Sequence, residues 1–200
     1  MNFAKIKNYH LKRLEEAIKN KEVDEQILPL LHEINALSDY VTSSSCAGRI
    51  TLMKIPKSGK KNEAEFLFKS HEPVEPEEVW RALEESVKTV KESIWFKQEP
   101  FIVHVICKDL NAAKKLLDIS HEAGLKHSGI ISLGEKIVLE IQSTERIETI
   151  VAKEGRVLID KEYLEILVQE ANQKLMKTRE KMSKLLTIIK TKLNPHIQKQ

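Results

Sequence analysis

The stretch Ser43-Ser44-Ser45-Cys46-Ala47-Gly48-Arg49 holds the densest reactive chemistry in the chain. Three hydroxyls, a thiol and a guanidinium follow one another with little side-chain bulk between them. Gly48 permits close backbone approach. Arg49 can grip a carboxylate or a phosphate through two parallel hydrogen bonds. The pattern suits an anion-binding loop between a helix and a strand. The plainer alternative is a serine-rich connector whose arginine forms a salt bridge. Cys46 stands too close to Arg49 for a thiol-phosphatase loop, and no local base marks it as a nucleophile.

Of the seven histidines, no pair has HxH or HExxH spacing, so a metal site is not expected. His71 follows a predicted strand in Lys69-Ser70-His71-Glu72-Pro73, where loops at sheet ends often carry catalysis. The alternative is a surface histidine. His104 lies in an apolar run and reads as a core residue whose hydrogen bonds are satisfied. Trp80 and Trp95 can stack on a base or simply pack. There is no GxGxxG and no GxxxxGK[ST], which argues against a Rossmann dinucleotide fold and a P-loop NTPase. The two cysteines, Cys46 and Cys107, form no CxxC pair, so neither a thiolate zinc site nor a disulfide scaffold is expected.

These residues must be held by the elements around them. Phe3, Ile6, Leu11, Leu14 and Ile18 recur at helical spacing over 3–20. Asp24 can cap a second helix with the face Ile27, Leu30, Leu31, Ile34 and Leu37, provided Pro29 lies in its first turn. The polar stretch 38–49 interrupts the pattern. Ile50–Ile55 and Phe66–Phe68 read as a hairpin across a turn at 56–62. A third helix is predicted from Pro76 through Val79, Leu83, Val87 and Val90 to Ile94. Phe101–Cys107 is an uninterrupted apolar run, the candidate central strand covered on both faces. Asp109 caps a helix that Gly124 stops. Strands follow at 129–133, 137–142, 146–152 and 156–159.

Asp160 caps a last helix, about 160–193. Its residues Leu164, Val168, Ala171, Leu175, Thr178, Met182, Leu185 and Ile189 form a heptad seam with one polar break. The first half of this helix is expected to pack on the sheet, the second half to project or pair with another helix. The fold class is α+β: one domain over 1–200, with a mixed sheet containing several hairpins, flanking helices and a long C-terminal helix.

A chain of 200 residues with 41% hydrophobic content is globular rather than disordered. No apolar run reaches the ~20 residues of a membrane span, and Met1–Lys7 has no apolar segment of secretory type. Charge is carried mostly by Lys and Glu, a hyperthermophile-like balance. The formal net charge is +3, yet residues 172–200 carry +7 and the remainder −4. A basic end on a mildly acidic body suggests a polyanionic partner, with Lys174, Lys177, Arg179, Lys181 and Lys184 as the contact residues. The alternative is a helix face kept soluble by lysines.

The segments Tyr40-x-Thr42-x-Ser44-Ser45-Cys46-Ala47-Gly48-Arg49, Ser70-His71-Glu72-Pro73-Val74, Glu99-Pro100-Phe101 and Gly124-x-x-x-Ser128-Gly129-Ile130 occur in this order. Together with Glu162-Tyr163-Leu164-x-x-Leu167-Val168-x-x-Ala171-Asn172, the set resembles the wybutosine-synthesising tRNA methyltransferases, the third enzyme of that pathway, including archaeal members. Many members have serine where this chain has Ala47, which argues that position 47 is not essential.

The resemblance implies a cytoplasmic, S-adenosyl-L-methionine-dependent enzyme. Its implied substrate is phenylalanine tRNA, methylated on ring nitrogen N4 of the 7-aminocarboxypropyl-demethylwyosine base beside the anticodon. Methyl transfer requires alignment of the nitrogen lone pair with the methyl group. His71 is the candidate acceptor of the ring proton. Ser44, Ser45, Cys46, Gly48, Arg49, Ser128 and Gly129 are the candidate substrate- or cofactor-binding residues, and Arg49 can hold the carboxylate of either. A non-catalytic tRNA-binding module is the first alternative, and a protein that dimerises through the 164–189 seam is the second.

Overall fold

Capping chemistry and apolar spacing set the helices. The computed structural model describes residues 2–56 and 63–193. Helix α1 spans Phe3–Lys19, with the Asn2 side chain accepting from the Ala4 N–H at 3.0 Å. Helix α2 covers Leu28–Ala36, preceded by a 3₁₀ turn at Glu25–Ile27, and Pro29 sits in its first turn as required. Asp24 does not cap α2. Its carboxylate instead accepts from the Ala47 N–H at 2.7 Å. Helix α3 (Pro76–Thr89), α4 (Leu110–Glu122) and α5 (Lys161–Leu193) complete the set. Asp109 caps α4 through the Ala112 N–H at 2.8 Å, and Gly124 beyond its end has φ +92°, as predicted. Asp160 accepts from the Tyr163 N–H at 2.8 Å at the start of α5.

The chain divides into two compact units. The first contains residues 2–47, 101–144 and 178–193. Its sheet is built from β1 (Tyr40–Cys46), β5 (Ile102–Cys107), β6 (Gly129–Leu133) and β7 (Ile137–Gln142), in the order β1-β5-β7-β6. Every pairing is antiparallel. Val103, Val105 and Cys107 of β5 join Leu30, Leu31 and Ile34 of α2, Leu116 of α4, and Met182, Leu185 and Ile189 of α5 in one core. On the opposite face Ile6 of α1 covers Val41 and Ile106.

The second unit contains residues 48–100 and 145–177. Its sheet comprises β2 (Arg49–Ile55), β3 (Glu65–Ser70), β4 (Ser93–Glu99), β8 (Ile147–Lys153) and β9 (Arg156–Val157), ordered β3-β2-β4-β8-β9 and again antiparallel. Ile50, Leu52, Ile94 and Phe96 pack with Val79 and Leu83 of α3 and with Leu164, Val168, Ala171 and Leu175 of α5.

The α+β class holds, and the connectivity is not that of a Rossmann fold. Beyond Asp24, five readings are corrected. The single mixed sheet is two wholly antiparallel ones. The polar stretch 38–49 is not a loop: residues 40–46 form strand β1. Helix α3 stops at Thr89, and Ile94, Trp95 and the residues to Glu99 form β4. Strand β5 is central but covered on both faces only near Ile106, while His104 is half-buried rather than in the core. The second half of the α5 seam neither projects nor waits for a second helix, because Met182, Leu185 and Ile189 are buried in the first unit's core. Seam-mediated dimerisation therefore falls. The hairpin β2–β3 is present, and the turn predicted between its strands lies outside the described residues.

A buried leucine contributes roughly 1.5–3 kcal/mol by removal from water, and a buried unpaired charge costs more. Leu185→Glu should therefore lower stability by several kcal/mol, and the melting temperature with it, without first changing oligomeric state. Calorimetry beside light scattering checks this. A stable variant altered only in association would return Leu185 to an interface.

Candidate functional site

Strand β1 is the element from which the site grows. Its register against β5 slips between Thr42 and Ser44, a bulge that lets Ser44 oppose His104. Ser44 Oγ lies 2.7 Å from His104 Nδ1. His104 Nε2 lies 2.8 Å from Glu140 Oε2 on β7. Glu140 is also the cross-strand partner of Gly129 on β6. Ser44, His104, Glu140 and Gly129 thus form one row across all four strands of the first unit. Gln142 Nε2 donates to the other Glu140 oxygen at 2.8 Å, and the Gln142 N–H donates to Ser128 Oγ at 3.3 Å. Three expected site residues, Ser44, Ser128 and Gly129, therefore meet on one sheet.

The exposed end of β1 also lines a cleft of about 230 Å³. Thr42–Ser45 form one side. Arg13, Leu14 and Ala17 of α1, with Glu22 and Val23 after it, form the other. His10 completes the lining. It is buried, its Nε2 has no hydrogen-bond partner among the described residues, and burial, aided by the charges of Lys136 and Arg13, lowers its pKa. A guanidinium, a carboxylate and hydroxyls beside an apolar wall suit a zwitterionic amino-acid group attached to a flat ring.

Ser45 and Cys46 are half-buried on β1. Cys107 is buried, and burial together with nearby Asp109 pushes its thiol up to about 12. Burial raises Tyr40 to about 12 as well, and its hydroxyl donates to the Ala112 carbonyl at 3.0 Å.

The remaining string residues belong to the second unit. Gly48 has φ +90°, a left-handed conformation that glycine takes without strain. Its carbonyl lies 3.0 Å from His71 Nδ1. A carbonyl only accepts, so Nδ1 carries the proton and the basic lone pair of the neutral ring sits on Nε2. Arg49 is held twice. Its Nε donates to Glu99 at 2.5 Å, and its guanidinium stacks on Phe66 at 4.7 Å. Its salt bridge is real, and the guanidinium is fixed in place by it.

On α5, Lys174, Lys177, Lys181 and Lys184 recur at intervals of three, four and three and share one stripe. Lys177 and Lys184 are exposed, while Lys174, Arg179 and Lys181 are half-buried. No described helix is long and apolar enough to cross a membrane.

The sequence reading missed His10, Arg13, Glu22, Glu140 and Gln142 and treated His104 as core. The available signal was a lone histidine in an apolar strand facing a strand that alternates to Glu140. Only the register shows that they meet.

The family described as Methyltransferase TYW3 matches residues 5–191, and the chain belongs to it. It is thereby a member of a family of methyl-transferring enzymes. The chain is 42% identical over 185 residues to the tRNA(Phe) 7-((3-amino-3-carboxypropyl)-4-demethylwyosine(37)-N(4))-methyltransferase of Archaeoglobus fulgidus, a match covering 92% of each protein. It is 39% identical over 185 residues to an enzyme of that name, numbered 1, from Pyrococcus furiosus, covering 92% of this chain and 93% of the relative. A solved Pyrococcus horikoshii structure superposes with TM-score 0.87 at 38% identity, over 94% of this chain and 96% of that one. A hypothetical protein from Aeropyrum pernix gives 0.71 at 28% identity, over 84% and 98%.

Gly48→Ala forces a side chain into a positive-φ position and should destabilise the fold by about 1 kcal/mol or more. Thermal denaturation of the variant measures this. An unchanged midpoint would mean that the backbone there relaxes freely.

Proposed function

We propose that this chain transfers the methyl group of S-adenosyl-L-methionine to the N4 ring nitrogen of 7-aminocarboxypropyl-demethylwyosine beside the anticodon of phenylalanine tRNA, in the cytoplasm. The observation that carries this is the family match over residues 5–191. Relatives bearing that substrate in their names align over nine-tenths of the chain.

The site supports the reading chemically. Both the cofactor and the substrate's side arm bear an α-amino acid. In the cleft beside α1, Arg13 suits the carboxylate, Glu22 the ammonium, the serine hydroxyls either one, and Leu14, Ala17 and Val23 a flat ring. When bound, S-adenosylmethionine supplies an electrophilic methyl group. The residues of this chain then bind and orient the partners, which for transfer to a nitrogen lone pair is much of the catalysis. Cys46, two residues on from Ser44, is assigned to the same face of the strand, and Ser45 to the wall of the cleft. Arg49, pre-set by Glu99 and Phe66, is assigned to hold a carboxylate or phosphate through its terminal amines, with His71 beside it at the Gly48 carbonyl. The lysine stripe of α5, with Arg179, is assigned to the tRNA backbone.

The test is transfer of labelled methyl from S-adenosylmethionine to phenylalanine tRNA carrying the unmethylated tricyclic base. Wild type should label that tRNA and not a tRNA with unmodified guanine. Arg49→Lys keeps the charge but loses the planar fork, and should lower turnover about tenfold or more while the fold persists. Affinity for tRNA should fall steeply with salt, because phosphate contacts release counterions, and less steeply in a Lys177→Gln, Lys184→Gln double variant. Binding of tRNA with neither cofactor affinity nor transfer would make the chain a binding module instead.

A further inference from the structure

We propose that Ser44, His104 and Glu140 form a proton relay that accepts the substrate's ring-nitrogen proton as the methyl group arrives. The inference rests on the methyl-transfer reading above. Ser44 is the group that touches the substrate. His104 and Glu140 act through it as positioning residues.

The hydrogen-bond directions are fixed from one end. Glu140 is a carboxylate and only accepts, so the proton it receives at 2.8 Å belongs to His104 Nε2. The neutral ring then presents a lone pair at Nδ1, 2.7 Å from Ser44 Oγ, and the serine hydroxyl donates to it. The lone pairs of Ser44 Oγ remain, on an exposed residue that lines the cleft beside α1. This is the base–orienter logic of a serine–histidine–carboxylate triad, laid across three strands. Gln142 holds the second Glu140 oxygen at 2.8 Å, so the carboxylate cannot swing away without losing a second bond. The β1 bulge matters here, because it is what sets Ser44 opposite His104.

The step balances. The nitrogen lone pair forms the N–C bond while the C–S bond of the sulfonium donor breaks, its electron pair staying on sulfur as the neutral thioether. The nitrogen's proton passes to Ser44 Oγ as the serine's own proton passes to His104 Nδ1. The imidazolium so formed is paired with Glu140, and the half-exposed ring returns the proton to water. Ser44 ends the cycle as it began. His71, whose Nδ1 faces the Gly48 carbonyl and whose lone pair lies on Nε2, is the rival acceptor that the experiment separates from the relay.

The experiment uses the full chain in the labelled-methyl assay, with cofactor and tRNA affinities and melting temperature measured for each variant. His104→Ala should lower kcat about 10²-fold, leave KM and both affinities within a few-fold, and regain part of the lost rate when free imidazole is added. Glu140→Gln should lower kcat while Glu140→Asp restores part of it. His104→Gln, which keeps size and polarity, serves if the alanine variant does not fold. Ser44→Ala should lower kcat as His104→Ala does, and the double variant should have a kcat no lower than either single one. A folded His104→Ala or His104→Gln with wild-type kcat overturns the relay. So does a loss confined to His71→Ala, or a defect in His104→Ala that imidazole leaves untouched. Failure of wild type to methylate the modified tRNA would instead overturn the underlying reading.

Discussion

One buried stripe organises this molecule. Helix α5 carries a single seam of apolar side chains, and both cores are built on it. Leu164, Val168, Ala171 and Leu175 fill the core of one unit, and Met182, Leu185 and Ile189 that of the other. The polar break between them is Thr178, fully buried, whose hydroxyl accepts the Phe101 N–H at 3.4 Å and bonds Ser143. Phe101 directly precedes β5. The one polar residue of the seam thus fixes where the central strand begins, and the register of β5 decides which residues face Ser44 and Glu140.

The reactive string is divided by the same organisation. Residues through Ala47 belong to the first unit, and residues from Gly48 to the second. Two local devices hold the passage. The Asp24 carboxylate takes the Ala47 N–H, and Gly48 turns the backbone through a positive φ. Serines and arginine that read as one loop are therefore two strand ends with separate supports. Ser44 is placed by a bulge against β5. Arg49 is placed by cross-strand pairing with Glu99 and by stacking on Phe66.

What the sequence disclosed and what it hid follow from this. Caps and periodicity were legible at α1, α4 and α5, because Asp109, Gly124 and Asp160 act within a few residues of themselves. Strand β1 was hidden because serines give no apolar alternation; only pairing with β5 makes them a strand. Strand β4 was hidden because Val87, Val90 and Ile94 continue the helical spacing of α3. The chain leaves the helix at Val90, and Ile94, Phe96 and Gln98 then alternate inward. Asp24 was misread because its neighbours resemble a cap, while its partner lies 23 residues away. Within the site, the Ser-Cys-Gly-Arg string and the Ser128-Gly129 pair stood out by composition. Glu140 and the role of His104 did not, because only sheet register joins them.

Stability and chemistry are separated by where these groups lie. The cores are buried and largely apolar, and each large apolar side chain in them contributes on the order of 2 kcal/mol. The Ser44–His104–Glu140 row is half-exposed, and a cross-strand polar pair of that kind contributes only roughly 0.2–1 kcal/mol. So little stability does not require two histidine nitrogens, a bulge and a glutamine brace to be aligned. The same face of the sheet shows the contrast within a few residues. Val41 and Ile106 are sealed under Ile6 of α1, while three positions from Val41 and two from Ile106 Ser44 lines a cleft and His104 lies beside it. A helix that covered the whole face would bury the row and leave its charges without solvent. Helix α1 covers the apolar end and borders the cleft with Arg13 instead, so the packing that secures the sheet also leaves its polar row accessible.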